Sequence, residues 1–165
     1  MKGLILCLIV LAAVVAADAQ NQTAATAAIK KVSAKDVKAL IDSSTGPTII
    51  NFWASWCGPC IREIPWFDSI IAKKNAPVKL VLVSLDFAVD YPANLTAFVK
   101  KQGYHGEVVY LSDINSSHYI PIIEKKWSGA IPASIFVNHS KKYYQVFNHQ
   151  LPKERFALEL DKLLE

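Results

Sequence analysis

The run Val78-Lys79-Leu80-Val81-Leu82-Val83-Ser84-Leu85 constrains the chain more than any other stretch. A nearly continuous apolar segment of that length reads as a strand covered on both faces, the kind found in parallel sheets with helices above and below. Its surroundings agree. Ser33 can cap a short helix to about Ile41, Ser44-Thr45-Gly46-Pro47 breaks it, and Thr48 to Ala54 is a compact apolar strand followed by a helix from about Pro59. Beyond the central strand, Ala93 to Lys101 reads as a helix stopped at Gly103, Glu107 to Leu111 as a strand, and Ser116 to Lys126 as a helix. Ser134 to Val137, a turn over Asn138 to Lys142, Tyr143 to Phe147 and a helix from Pro152 to Leu164 complete the pattern, with Pro152 suited to a first helical turn. The expected fold class is therefore α/β, a central mixed sheet flanked by helices. With 165 residues, 52% of them hydrophobic and 19% charged, the chain is too apolar for disorder and fits one globular domain.

The N-terminus has a different character. Met1-Lys2-Gly3 is a short positive start, Leu4 to Val15 is an unbroken apolar run, and Ala17-Asp18-Ala19 supplies small residues at cleavage spacing. These features predict a signal peptide over residues 1–19, and hence export to a periplasm or a secreted state. The run is well short of the roughly 20 residues that span a bilayer, which makes an uncleaved anchor the weaker reading. Cys7 lies mid-run, where cleavage discards it, rather than at a lipidation site. Residues 20–28, rich in Gln, Thr and Ala, read as a mobile leader to a domain over residues 29–165.

A net charge of +4 is unchanged by removing Lys2 and Asp18. Five Lys-Lys pairs, beginning at 30, 73, 100, 125 and 141, are spread out where helices or turns are expected to end, and no basic block is interleaved with aromatics. No nucleic-acid partner is expected. Asn94-Leu95-Thr96, Asn115-Ser116-Ser117 and Asn138-His139-Ser140 match the short glycan-acceptor pattern, which has meaning only in a eukaryotic secretory pathway.

Chemistry is expected at the first strand-to-helix junction, Trp53-Ala54-Ser55-Trp56-Cys57-Gly58-Pro59-Cys60. Residues three apart in a first helical turn lie within the roughly 4.4 to 6.8 Å between α-carbons that a disulfide requires. At a helix start, free amides and the positive dipole end favour the thiolate of Cys57, making it the attacking nucleophile. Cys60, one turn inside, is more shielded and resolves the mixed disulfide. Two other readings stand beside this one. Zinc would need two more ligands, and His105, His118, His139 and His149 are scattered; a purely structural bridge over so short a loop would stabilise little. No metal and no cofactor are expected.

Trp56-Cys57-Gly58-Pro59-Cys60 resembles the active-site motif of the thioredoxin-like superfamily. The longer stretch from Ile50 through Glu63 to Pro65 is similar to the branch of exported thiol-disulfide reductases typified by TlpA and ResA, and the resemblance runs roughly from Thr48 to the C-terminus. It implies a thioredoxin-like fold in which the helix and strand between Ala93 and Leu111, with the helix after them, enlarge the minimal form. Thioredoxins carry an aspartate where this chain has Asn51, which exchanges no proton near neutral pH. Glu63, on the helical face of Cys60, can take that role if burial raises its pKa; a solvated helix carboxylate is the alternative. Pro65 is expected to kink the helix. Ile131-Pro132 resembles the family's cis-proline segment, which implies that the Ile131 backbone pairs with an extended substrate peptide while Cys57 attacks. Trp56, Gly58 and Pro59 complete the implied substrate surface, with Phe52 and Trp53 assigned to the core.

The reading is an exported protein-disulfide reductase, monomeric, acting on disulfide-containing proteins in cytochrome maturation or general disulfide repair, and recharged by a membrane-borne thiol donor. The alternatives are a non-catalytic module holding peptides beside Pro132 and, less consistent with two cysteines, a peroxidase on the same fold.

Overall fold

A computed structural model describes residues 28–113 and 115–165; the expected signal peptide with Cys7, and nearly all of the leader, lie outside the described residues. The elements, in chain order, are β1 (Lys30–Val32), α1 (Ala34–Asp42), β2 (Thr48–Trp53), α2 (Gly58–Lys73), β3 (Lys79–Ser84), α3 (Ala93–Gln102), β4 (Glu107–Leu111), α4 (Ser116–Ile123), β5 (Ala133–Asn138), β6 (Tyr143–Phe147) and α5 (Lys153–Leu164). They form one six-stranded sheet in the order β1-β4-β3-β2-β5-β6. The four strands from β1 to β2 are mutually parallel, while β5 runs antiparallel to β2 and β6 antiparallel to β5.

Period-two alternation sends the two faces of the sheet into separate cores. Ile49, Leu80, Leu82 and Phe136 pack under α2 and α5 with Ile64, Phe67, Phe156 and Leu160. Ile50, Phe52, Val81, Val83 and Ile135 pack on the other face against Val37 and Ile41 of α1 and Tyr119 and Ile123 of α4. β2 and β3 are the middle of this sandwich. Every residue of β2, and all of β3 after Lys79, is buried, as the apolar run predicts.

Local chemistry sets the element ends. Ser33 caps α1 in a reciprocal box with Asp36. α3 stops at Gly103, whose φ of 66° is the left-handed conformation that suits glycine. Three expectations need correction. β1 was not anticipated; it is three residues long and pairs with β4, placing Lys30 and Lys31 in a strand rather than at a helix or turn end. The helix expected to reach Lys126 ends at Ile123, where Glu124 turns to an extended backbone. Pro152 precedes α5 as its cap, at ψ 151°, rather than lying within it. Tyr91-Pro92 is a cis peptide bond that no sequence feature marked. Of the three acceptor patterns, Asn94 and Asn115 are exposed, whereas Asn138 is buried with its amide donating to the Leu163 carbonyl at 2.7 Å.

Candidate active site

β2 delivers the chain to the site. After Trp53 a tight turn, closed by the Cys57 amide donating to the Ala54 carbonyl at 3.0 Å, sets Cys57 as the cap residue of α2. Its sulfur accepts the Cys60 amide at 3.3 Å, so one of the helix's free donors points at sulfur. Gly58 and Pro59 fill the first turn, where a missing N–H costs nothing. Cys57 and Cys60 are joined by a disulfide with α-carbons 5.3 Å apart. Cys57 is 5% exposed and Cys60 is sealed. A side-chain carbon on Gly58 would lie 3.4 Å from Nη1 of Arg62, which puts that guanidinium against the first turn of the helix.

Glu63, one turn beyond Cys60, is fully buried. Its two oxygens each have a donor: the Asn51 amide gives a hydrogen bond at 2.9 Å and the Leu151 backbone N–H another at 2.9 Å. Burial outweighs both donors and pushes the carboxyl up from 4.5 to about 7. Asn51 lies opposite Ser134 in the β2–β5 register and also donates to its hydroxyl at 3.0 Å. A polar residue in the middle of the apolar strand Thr48–Trp53 thus has its amide N–H groups partnered on α2 and on β5, while its Oδ1 is buried without a partner.

On the far side of β2, Ile131-Pro132 is a cis bond just before β5. Trp127 anchors the approach by stacking on Phe52, with ring centroids 4.1 Å apart, and donating its indole N–H to the Ala130 carbonyl at 2.9 Å. Gly129 has φ 85°, the left-handed region that favours glycine, and a β-carbon there would meet the end of the Ile120 side chain at 2.7 Å. The segment after β6 ties the parts together. Asn148 accepts the Ser128 amide at 2.8 Å and donates to the Lys126 carbonyl at 2.9 Å, and Gln150 donates to the Pro59 carbonyl at 3.1 Å.

On the β3 side, buried Asp86 accepts the Ser55 amide at 3.0 Å and the Ser84 hydroxyl at 2.7 Å, fixing the turn that carries Trp56. Trp56 is exposed and stacks on Phe87, with ring centroids 5.8 Å apart. Phe52 and Trp53 are fully buried.

All the residues expected at the site therefore gather at the carboxyl end of β2. Asp86, Phe87, Arg62, Asn148 and Gln150 were not anticipated. Only Asp86 left a usable signal, a lone acid directly after an apolar strand. A cavity of about 450 Å³ lies elsewhere, between α2 and the segment after α3, lined by Pro65, Ile71, Leu80 and Tyr104 among others. Among the described residues, no group of three or more His, Cys, Asp or Glu could hold a metal ion, and no helix is long and apolar enough to cross a membrane.

The family model described as Redoxin matches residues 19–160. The chain is 38% identical over 74 residues to sporulation thiol-disulfide oxidoreductase A of Bacillus subtilis (strain 168), an alignment covering 42% of this chain and 44% of that protein. The chain thus spans less than half the length of that curated relative. Among solved structures it is similar to a thioredoxin-related protein from Neisseria meningitidis serogroup B, with a TM-score of 0.60 at 22% identity over 74% of this chain and 89% of that one. It is also similar to a putative thiol:disulfide interchange protein DsbE from Chlorobium tepidum, with a TM-score of 0.56 at 26% identity over 75% and 82% of the two chains.

Proposed function

The chain belongs to the Redoxin family, and on that premise we propose that it is an exported thiol-disulfide oxidoreductase that reduces protein disulfides through Cys57 and Cys60. The observation that carries the reading is the asymmetry of the pair: Cys57 caps a helix and keeps 5% of its surface exposed, while Cys60 is sealed one turn inside.

In the dithiol form, the Cys60 amide and the helix end favour a thiolate at Cys57. That thiolate attacks one sulfur of a substrate disulfide. The substrate S–S bond breaks, a mixed disulfide forms, and the departing thiolate takes a proton. Cys60 then attacks the Cys57 sulfur, releasing the second substrate thiol and closing the Cys57–Cys60 bridge. Two electrons have passed to the substrate, and no cofactor is involved. Cys60 must lose its proton for this step. Glu63, buried on the same helix face with a carboxyl near 7, is the group suited to accept it. Gly58 and Pro59 leave the backbone open beside Cys57, and Ile131 before Pro132 offers backbone to an extended substrate.

The wider reading follows from the sequence. Residues 1–19 are a signal peptide and 20–28 a leader, the domain over 29–165 works as a monomer in a periplasm or outside the cell, and a membrane-borne dithiol donor returns the two electrons. Cytochrome maturation or general disulfide repair is the setting. Insulin reduction with dithiothreitol tests the chemistry: wild type turns over, and Cys57→Ser falls by at least ~1000-fold. Cys60→Ser expressed in the native host accumulates mixed disulfides at Cys57. Turnover retained by Cys57→Ser would refute the mechanism.

A further inference from the structure

Four large hydrophobic side chains are conspicuously exposed among the described residues: Trp56 at 55%, Phe87 at 61%, Val89 at 84% and Leu158 at 50%. Two of them, Trp56 and Phe87, meet beyond the carboxyl ends of β2 and β3, neighbours in the sheet, with Val89 further along the same loop as Phe87. The two rings are stacked at 5.8 Å with their planes 21° apart. Neither is loosely held. Asp86 fastens the Trp56 turn through Ser55, and the same residue is anchored to Ser84 by its backbone N–H at 3.1 Å. The Asp90 amide closes a turn onto the Phe87 carbonyl at 2.9 Å, and the Tyr91 hydroxyl donates to the Ile29 carbonyl at 3.0 Å. Rings held ready on a fastened loop lose little freedom when something covers them.

We propose that Phe87, together with Trp56, is a specificity platform that selects polypeptide disulfides with an aromatic or large aliphatic side chain two residues from the cysteine. This rests on the reading of Cys57 as the attacking sulfur. β3 and β5 flank β2 on opposite sides, so Phe87 past the end of β3 and Ile131 before β5 lie on either side of Cys57. Neighbouring strands are about 4.8 Å apart, and an extended peptide rises about 3.3 Å per residue with alternate side chains on one face. A peptide held at Ile131, with its sulfur at Cys57, carries its second residue roughly 7 Å further, and the proposal seats that residue on the ring pair. An offset aromatic contact there adds attraction beyond the area it buries. A small polar disulfide has nothing to place on the platform.

The test uses prereduced full-length domain and two mixed-disulfide peptides, one with Phe and one with Ser at the second residue on both sides of the cysteine. The ratio of kcat/KM for the two peptides is the readout. Wild type favours the Phe peptide about tenfold. Phe87→Ser lowers the ratio to less than about threefold, Phe87→Leu keeps most of it, and Leu158→Ser, which removes an exposed apolar group on α5, leaves it unchanged. Thermal unfolding of each variant confirms that exposed substitutions leave the fold intact. If wild type reduces neither peptide, the reductase reading itself fails. If it reduces both with equal efficiency, or Phe87→Ser keeps the full ratio, only the platform is overturned. Self-association by sedimentation that disappears in Phe87→Ser, with the peptide ratio unmoved, overturns it too and gives the patch to contacts between copies of the chain.

Discussion

Two buried carboxylates flank the turn that carries Cys57, and they are held in different ways. Asp86 collects the Ser55 amide on both oxygens, at 3.0 and 3.2 Å, and hydroxyls from Ser55 and Ser84. Glu63 has one donor for each oxygen, from Asn51 and Leu151, inside an apolar core. Asp86 joins the ends of β2 and β3 and leaves no lone pair idle, which suits a clamp. Glu63 is so sparsely compensated that burial pushes it up to about 7, which suits a group that passes a proton. The same functional group is thus held for shape on one side of the turn and, in the mechanism proposed above, for proton transfer on the other, and donor count separates the two.

Three substitutions sharpen the contrast. Asp86→Ala strands the Ser55 amide and two hydroxyls, and should cost about 4 kcal/mol in urea unfolding at neutral pH. A loss under ~1 kcal/mol would mean that the clamp is dispensable. For Glu63 the effect lies in pH dependence. Its folded pKa lies above the ordinary 4.5, so the folded state holds a proton that the unfolded chain releases. Stability from this group is complete below pH 4.5 and falls by about 3 kcal/mol as pH rises to about 7. Glu63→Gln should flatten that slope in the oxidised protein, whereas an unchanged slope would place its origin elsewhere. Asn51→Ala, the smallest, removes a donor that favours the ionised form. It should move the inflection to higher pH and cost about 1 kcal/mol above neutrality; an inflection that stays in place would leave Leu151 as the donor that matters.

Much of this could be read from residues alone. The apolar runs at Thr48–Ala54 and Val78–Leu85 specify the central strands, because burial on both faces leaves a local mark. Cys60 and Glu63 are three residues apart on one helix, with Cys57 three before Cys60 at its cap, so the neighbourhood of each pair follows from helical period. The clamp and strap are different. Asp86 meets Ser55 across 31 residues, and Gln150 meets Pro59 across 91, and no periodicity relates such pairs. Asn51 was legible as a departure but not as a donor, since its partners come from α2 and β5. β1 escaped notice because a three-residue strand opening on two lysines has neither the length nor the alternation that marks a strand.

The unequal exposure of the two cysteines reaches beyond a single reaction. A bridge that can be approached only through Cys57 has one doorway, shared by whatever empties the pair and whatever refills it. Client and supplier must therefore queue. Under the proposed mechanism the donor meets the disulfide form and the client the dithiol form, so double-reciprocal plots at varied donor should run as parallel lines, the mark of a turnstile that admits its two users alternately.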